Sequence, residues 1–260
     1  MKPVGWFTRC VTAFVVICML VPLIVVIAAS FNESSEIVFP PKSLSLKWYV
    51  NVFQRERFLT SFQFSVLLAI AATLLSLVIG LLCSIALVRY RFTGRDAVAT
   101  FLNSPLAVPQ VVLGISMLIL FSQAGIVSSL LSLGALHLIL TLPYTIRVLS
   151  ASLVRFPVSV EEAAIIHGAN RVVAFILITL PCIKPGLVAA AIFAFVTSFD
   201  NFTASQFLVW DRTTLPVEIY AYALIETDPT VCAISTMLIL ATIAVVMMAE
   251  RLIGLETVIE

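Results

Sequence analysis

The sequence predicts an all-α membrane protein with six transmembrane helices. Hydrophobic residues make up 61% of the 260 residues and charged residues only 11%, far from the usual composition of a soluble domain. The few charges are unevenly spread, because long uncharged runs alternate with short polar segments. A helix rises 1.5 Å per residue, so about 20 apolar residues cross the hydrocarbon core of a bilayer.

The six spans follow from these runs in order. Residues 10–32, 58–88 and 229–249 contain no charge and are each long enough for one span. Residues 97–146 are uncharged over a length that allows two spans, with a turn expected between Gly125 and Gly134. Another span begins after Pro185. We therefore predict one membrane domain over residues 1–260, with spans at about residues 10–31, 60–88, 102–123, 133–153, 185–206 and 229–249.

The N-terminal segment resembles a secretory signal, since Lys2 and Arg9 precede an apolar run that ends in small residues. The apolar run of a signal peptide is usually about 7–15 residues long, and this one is longer. We therefore expect an uncleaved first span.

The orientation follows from lysine and arginine, which accumulate on the cytoplasmic side. With the N-terminus inside, ten of the 15 basic residues lie in inner segments and five in outer segments. The inner ones are Lys2, Arg9, Arg89, Arg91, Arg95, Arg147, Arg155, Arg171, Lys184 and Arg251. Both termini and residues 155–184 are thus expected in the cytoplasm. The net charge of +1 gives no indication of nucleic-acid binding.

Residues 155–184 carry the most informative local pattern. Ser159, followed three residues later by Glu162, has the spacing of a capping box and predicts a helix opening just after Pro157. Glu161 and Glu162 lie in its first turn, where the helix dipole favours negative charge.

A turn and a second helix are expected next. Gly168 stands where a left-handed residue ends a helix, and a second helix starts near Asn170 and meets Pro181 and Pro185. A helix of about two turns is marginal alone in water, so we expect a partner surface to hold it.

This segment resembles the cytoplasmic coupling loop of ABC-importer permeases. The pattern Glu162-Ala163-Ala164, Gly168 after three residues, and Ile178-Thr179-Leu180-Pro181 after nine more matches that family at every defined position. An ordinary amphipathic connector is the alternative. The resemblance implies that the ATPase-coupling residues are Glu161, Glu162, Ala163, Ala164, His167 and Gly168.

The same resemblance implies a type I ABC-importer permease fold that works by alternating access in a bacterial inner membrane. Its expected partners are a second permease subunit forming a heterodimer, two cytoplasmic ATPase subunits, a periplasmic solute-binding protein and membrane lipid. The chain itself is expected to bind no cofactor, because ATP and Mg²⁺ would be bound by the partner ATPase.

Segments on the outer side resemble the spermidine/putrescine-type permeases. These are Phe39-Pro40-Pro41-Lys42, Ser198-Phe199-Asp200-Asn201 and Asp228-Pro229. Polyamine members tend to carry acids where this chain has Gln110 and Asn201, so a dication would meet less negative charge. The resemblance implies a polyamine as solute, and the departure leaves an amino-acid derivative or an aminophosphonate open.

Candidate residues for the translocation path are Gln110, Phe199, Asp200 and Asn201. A carboxylate inside a membrane is costly and usually faces a cavity or an opposite charge, so Asp200 is either a cation contact or a helix end at the interface. Gln110 either lines the path beside a proline-distorted helix or makes one interhelical hydrogen bond.

Other function classes find little support. The five cysteines and two histidines lack the spacing of a metal site or a disulfide framework, and we expect no metal and no catalytic residue. An intramembrane enzyme would need paired catalytic groups at membrane depth. A passive channel would transport its solute without ATP, and this alternative stays open.

Overall fold

Helices form nearly all the regular structure of the residues that can be described. The computed structural model describes the backbone of residues 5–253 and the side chains of residues 5–247, and within this range the one β feature is an isolated bridge between Asn32 and Leu44. The predicted all-α class is therefore confirmed. Lys2, which contributed to the predicted orientation, lies outside the described residues.

Twelve α-helices follow one another along the described chain. They are α1 (Trp6–Ser30), α2 (Lys47–Gln54), α3 (Glu56–Arg89), α4 (Arg95–Asn103), α5 (Gln110–Gln123), α6 (Ser129–Arg155), α7 (Val158–Ile166), α8 (Arg171–Ala174), α9 (Leu180–Cys182), α10 (Lys184–Phe199), α11 (Leu215–Ile225) and α12 (Thr230–Ile253). A π-helical turn, Phe175–Thr179, joins α8 to α9, and 3₁₀ turns occupy Ser104–Leu106 and Ser205–Phe207.

Within the described residues, four helices, α1, α3, α6 and α12, are long and apolar enough to cross a membrane. Two further helix pairs qualify if each pair counts as one span, which gives up to six. One pair, Arg95–Leu106 with Gln110–Gln123, bends by 99°, and the other, Arg171–Cys182 with Lys184–Phe199, bends by 70°. The domain boundaries and the six individual spans stay predictions.

The predicted span at residues 102–123 contains a break, at the prolines that the sequence indicated would distort a helix. The helix stops at Asn103, a 3₁₀ turn includes Pro105, and α5 begins only at Gln110, directly after Pro109. Proline has no N–H to donate and its ring clashes with the preceding turn, so two prolines four residues apart break the helix. Gln110 consequently starts a helix rather than lying inside one.

The turn before α6 was predicted too broadly. Gly125 has a φ of +69° and lies in the turn, whereas Gly134 lies inside α6, which already starts at Ser129. Asp211 stabilises this start, because its Oδ1 accepts the Ser129 N–H at 2.9 Å. These bonds hold the pKa of the Asp211 carboxyl below its usual range, first through the Ser129 N–H and then through its hydroxyl.

The described chain divides into two compact units, one of residues 5–60 with 218–243 and the other of residues 61–217 with 244–253. In the first unit, the indole N–H of Trp48 donates to the Asn32 carbonyl at 2.6 Å, and Phe58 packs edge-on against Tyr222. The helices α2 and α11 lie in segments that the sequence predicts on the outer side.

The second unit contains the buried core, in which α6 is the most enclosed of its helices. Core residues of this unit are Phe64, Leu68, Leu133, Leu136, Leu140, Ala204 and Leu208. Glycines allow close packing here, because a Cβ at Gly80 would lie 2.6 Å from Thr145 Cγ2 and one at Gly114 would lie 2.7 Å from the Ala204 carbonyl oxygen. Gly80 and Gly114 are thus positions of close helix packing.

Candidate coupling site and translocation path

The helix α7 carries the predicted coupling residues and ends in a well-formed turn. Gly168 has a φ of +95°, the left-handed conformation that glycine adopts without a Cβ clash. The Ala169 N–H donates to the Ala164 carbonyl and the Gly168 N–H to the Ile165 carbonyl, both at 3.0 Å. This bonding pattern is a Schellman motif, so the predicted left-handed cap at Gly168 is confirmed.

The predicted capping box at the start of α7 is wrong. Pro157 occupies the N-cap and no side chain accepts a capping hydrogen bond there. Ser159 therefore lies inside the first turn instead of preceding it. The helix does begin directly after Pro157, as the sequence predicted.

Glu161 faces the interior of its unit. Its Oε2 lies 3.1 Å from Arg89 Nη1, at the end of α3, and accepts a hydrogen bond from the Thr179 hydroxyl at 2.7 Å. The side chains of Arg89 and Glu161 are only 17% and 15% exposed, and the guanidinium also lies over the Phe156 ring. Glu161 thus fixes α7 to α3 and to the π-helical turn.

The other predicted coupling residues point outward or border the surface. Glu162, Ala163, His167 and Gly168 are exposed, and Ala164 is half-buried. Ile166, on the same short helix, is 85% exposed, although burial of such a side chain is favourable by about 1.5–3 kcal/mol. The structure therefore separates two neighbouring acids, because Glu161 binds its own chain while Glu162 is open to a partner.

The chain returns to the core through a short helix after Gly168. Asn170 caps α8 by accepting the Val173 N–H at 2.8 Å, which confirms the predicted start of the second helix. The π-helical turn then widens the helix before Pro181, and the bend at Ile183 leads into α10. Gly186 in α10 packs directly against the Ser152 side chain of α6.

The structure brings Gln110 and Asn201 together. Asn201 Nδ2 donates to Gln110 Oε1 at 3.1 Å, and Asn201 Oδ1 accepts from both the N–H and the hydroxyl of Ser205. The Ser205 hydroxyl also lies 3.0 Å from His137 Nε2, whose other ring nitrogen lies 2.6 Å from the Ser198 hydroxyl. Gln110 is exposed, whereas Asn201 is only 6% exposed.

Asp200 and Phe199 lie beside this pair but are not joined to it. Asp200 ends α10 and is exposed, and its carboxylate makes no hydrogen bond or ion pair among the described residues. Phe199 stacks on Phe195 with ring centroids 5.7 Å apart and meets Phe62 edge-on. The helix α10 ends at Phe199, and beyond it the Ser205 N–H donates to Asn201 Oδ1 instead of to a helical carbonyl.

Sequence reasoning missed three contributors to these sites. Arg89 was seen only as an orientation signal, and Thr179 only as a position inside the family pattern. Ser205 carried no signal at all. His137 of α6 contacts the Ser198 hydroxyl of α10, so it makes an interhelical contact. The His137 side chain is only 1% exposed, so both of its ring nitrogens need hydrogen-bond partners within the protein, and two hydroxyl groups provide them.

No group of three or more histidine, cysteine or acidic side chains gathers as a metal site in the part of the chain that the structure describes. All five cysteines are free. The polar side chains that converge are amides, hydroxyls and one imidazole, and they form hydrogen bonds with one another.

Comparisons with known proteins agree with this architecture. The chain is 31% identical over 247 residues to the spermidine/putrescine transport system permease protein PotC of Haemophilus influenzae, covering 94% of this chain and 96% of that protein. It is 29% identical over 233 residues to the putrescine transport system permease protein PotI of Escherichia coli K12, covering 86% of this chain and 82% of PotI.

A solved structure has the same fold. A chain in the crystal structure of a bacterial alginate ABC transporter, in complex with alginate pentasaccharide-bound periplasmic protein, superposes with a TM-score of 0.72 at 15% identity. The match covers 95% of this chain and 93% of that chain. The predicted importer-permease fold is thereby confirmed.

The family assignment follows from a match over most of the chain. Residues 76–254 match the family described as binding-protein-dependent transport system inner membrane component. Its members are transport subunits rather than enzymes and reside in the bacterial inner membrane, which confirms both of these predictions. The chain belongs to the family of binding-protein-dependent transport system inner membrane components.

Proposed function

We propose that the exposed face of α7 is the contact through which an ATPase subunit drives this permease. The observation that carries the proposal is that two adjacent acids have different surroundings. Glu161 forms an ion pair with Arg89 and a hydrogen bond with Thr179, whereas Glu162 is exposed on the surface. The exposed Ile166 supplies apolar surface for the same contact. Exposed apolar groups surrounded by polar ones are typical of interaction sites.

The geometry supports transmission of force from this contact into the membrane. The Glu161–Arg89 pair joins α7 to the end of α3, and after the turn at Gly168 the helical segment from Arg171 to Cys182 leads into α10. Closure of an ATPase pair would therefore move α3 and α10 together. The full complex would contain a second permease forming a heterodimer, two ATPases that bind ATP and Mg²⁺, and a periplasmic solute-binding protein.

We also propose an amine-bearing solute, with putrescine and spermidine as the first compounds to test. The names of PotC and PotI support this class. Asp200 adds a physical argument, since its exposed carboxylate has no partner among the described residues and can receive an ammonium group. Phe199 and Phe195 offer aromatic faces beside it, which attract cations. In this proposal, Gln110, Phe199, Asp200 and Asn201 border the translocation path.

The coupling proposal is tested by two substitutions in cells that carry the complete transporter. Glu162→Lys reverses the exposed charge, and Gly168→Asp places a side chain at a φ of +95°. Both are expected to abolish uptake of labelled putrescine while the protein remains in the membrane, as measured by immunoblot of the membrane fraction. Normal uptake by both variants would rule out α7 as the coupling contact.

A further inference from the structure

We infer that the Gln110–Asn201 pair presents hydrogen-bond donors to the solute, so that the transported compound carries an acceptor oxygen, such as a carboxylate or phosphonate, in addition to its amine. The inference rests on the proposed function and narrows the class of solute. It depends on which end of each amide faces outward, and the hydrogen bonds determine this.

The orientation of Asn201 is set by a backbone group. The Ser205 N–H lies 3.2 Å from one terminal atom of the Asn201 amide, and a backbone N–H can only donate. That terminal atom must therefore be the oxygen, Oδ1. The amide nitrogen Nδ2 is then the atom that faces Gln110 at 3.1 Å.

The contacts of His137 are compatible with this orientation of Asn201. The Ser205 hydroxyl has one proton, which it donates to Asn201 Oδ1 at 2.9 Å. It must then accept from the neighbouring His137 Nε2 at 3.0 Å. In the neutral ring Nδ1 is left to accept from Ser198, 2.6 Å away. Each donor of this network thus meets an acceptor, and the Ser205 N–H is the group that fixes the orientation of Asn201.

Gln110 is oriented in turn by Asn201. Because Asn201 Nδ2 donates, the atom of Gln110 that faces it must be the acceptor Oε1. The two N–H groups on Gln110 Nε2 therefore point away from Asn201. They make no hydrogen bond with the part of the chain that the structure describes, and the side chain is exposed.

A free amide nitrogen selects for a particular chemistry. Its N–H groups attract carboxylate, phosphonate or carbonyl oxygens, and they offer nothing to an ammonium group, which is itself a donor. Asp200, the neighbour of Asn201 in the chain, is an exposed acceptor that can receive an ammonium group. A solute with an amine at one end and an anionic oxygen at the other can bond both the Asp200 carboxylate and the Gln110 N–H groups, whereas a diamine leaves those N–H groups without an acceptor.

The test is Gln110→Glu, which keeps the size of the side chain and an oxygen for Asn201 but replaces the outward N–H groups with a carboxylate oxygen. The matched control is Gln123→Glu, the same substitution at the exposed opposite end of α5. Cells with the complete transporter are given labelled putrescine, 4-aminobutyrate or 2-aminoethylphosphonate. The first two probes are matched four-carbon compounds, because 4-aminobutyrate has a carboxylate in place of one terminal aminomethyl group of putrescine.

Uptake that depends on this chain is expected for at least one of the two oxygen-bearing probes, in preference to putrescine. Gln110→Glu is expected to shift the ratio of that uptake to putrescine uptake at least about tenfold toward putrescine, since a charge-assisted hydrogen bond is replaced by repulsion. Gln123→Glu is expected to leave the ratio unchanged.

Two other results have distinct meanings. Strong putrescine uptake without uptake of either oxygen-bearing probe would overturn the inference. The same holds if Gln110→Glu leaves the ratio of oxygen-bearing probe uptake to putrescine uptake unchanged. Either result would keep the proposed amine importer. If none of the three probes is taken up in a manner that depends on this chain, the proposed amine class is overturned, and the inference with it.

Discussion

The ion pair between Glu161 and Arg89 gives the sharpest prediction about the coupling helix. Glu161→Gln removes the charge but keeps an oxygen that can still accept from Thr179. Arg89 then loses its ion-pair partner, while its Nε and Nη2 atoms are already buried without a hydrogen-bond partner among the described residues. We expect the anchoring of α7 to weaken as a result.

The magnitude follows from the burial of the pair. Exposed ion pairs contribute about 0.2–1 kcal/mol, and removing one partner of a fully buried pair costs about 3–5 kcal/mol. With side chains 17% and 15% exposed, Arg89 and Glu161 lie between these limits. We therefore expect a loss of about 2 kcal/mol, which is roughly a 30-fold change in an equilibrium constant.

Hydrogen–deuterium exchange of the purified permease in detergent measures this local opening. Amides of α7 should exchange roughly 30-fold faster in Glu161→Gln. The matched control is Glu162→Gln, because Glu162 is adjacent and exposed and its side chain has no partner among the described residues. It should leave exchange unchanged and lower only uptake. Equal exchange rates in the two variants would refute the assignment of Glu161 as the anchor.

Two further predictions concern packing and pH. Gly114→Ala should destabilise the protein by about 1–3 kcal/mol, because the new Cβ would lie 2.7 Å from the Ala204 carbonyl oxygen. The control Gly134→Ala meets nothing within 4 Å and should stabilise the protein by about 0.5–1 kcal/mol. Thermal unfolding in detergent should therefore show Tm shifts of opposite sign, and shifts of the same sign would contradict the packing. The lowered pKa of Asp211 means that its bond to Ser129 stabilises the fold fully above the ordinary value of 3.8 and less as the pH falls through the folded-state value. When the pH is lowered from about 6 to about 3, the Tm of Asp211→Asn should therefore fall less than the Tm of the unsubstituted protein. An equal fall in the two proteins would argue against a stabilising bond between Asp211 and Ser129.

The sequence predicted those parts of the fold that depend on local signals. Long uncharged runs located the apolar helices, Gly168 and Asn170 marked a helix end and a helix start, and Pro105 with Pro109 indicated a distorted segment. The size of the two bends could not be predicted from the sequence, because the 99° and 70° angles depend on how each helix half packs against its neighbours.

The candidate sites were predictable only as separate residues. Gln110 and Asn201 were singled out individually, but their hydrogen bond depends on how α5 packs against the segment after α10. The partners of Glu161 are distant in sequence, since Arg89 ends α3 and Thr179 ends the π-helical turn. No spacing rule relates such positions, and only the folded chain brings them together.

The central claim is that the exposed face of α7 contacts the ATPase. A photo-crosslinking amino acid at Ile166, which is 85% exposed, tests this directly in membranes that contain the complete transporter. The control position is Val127, 65% exposed in the segment between α5 and α6 and predicted to lie on the outer side. The account predicts an adduct with the ATPase subunit from Ile166 and none from Val127. An ATPase adduct absent at Ile166, or equally strong at Val127, would contradict it.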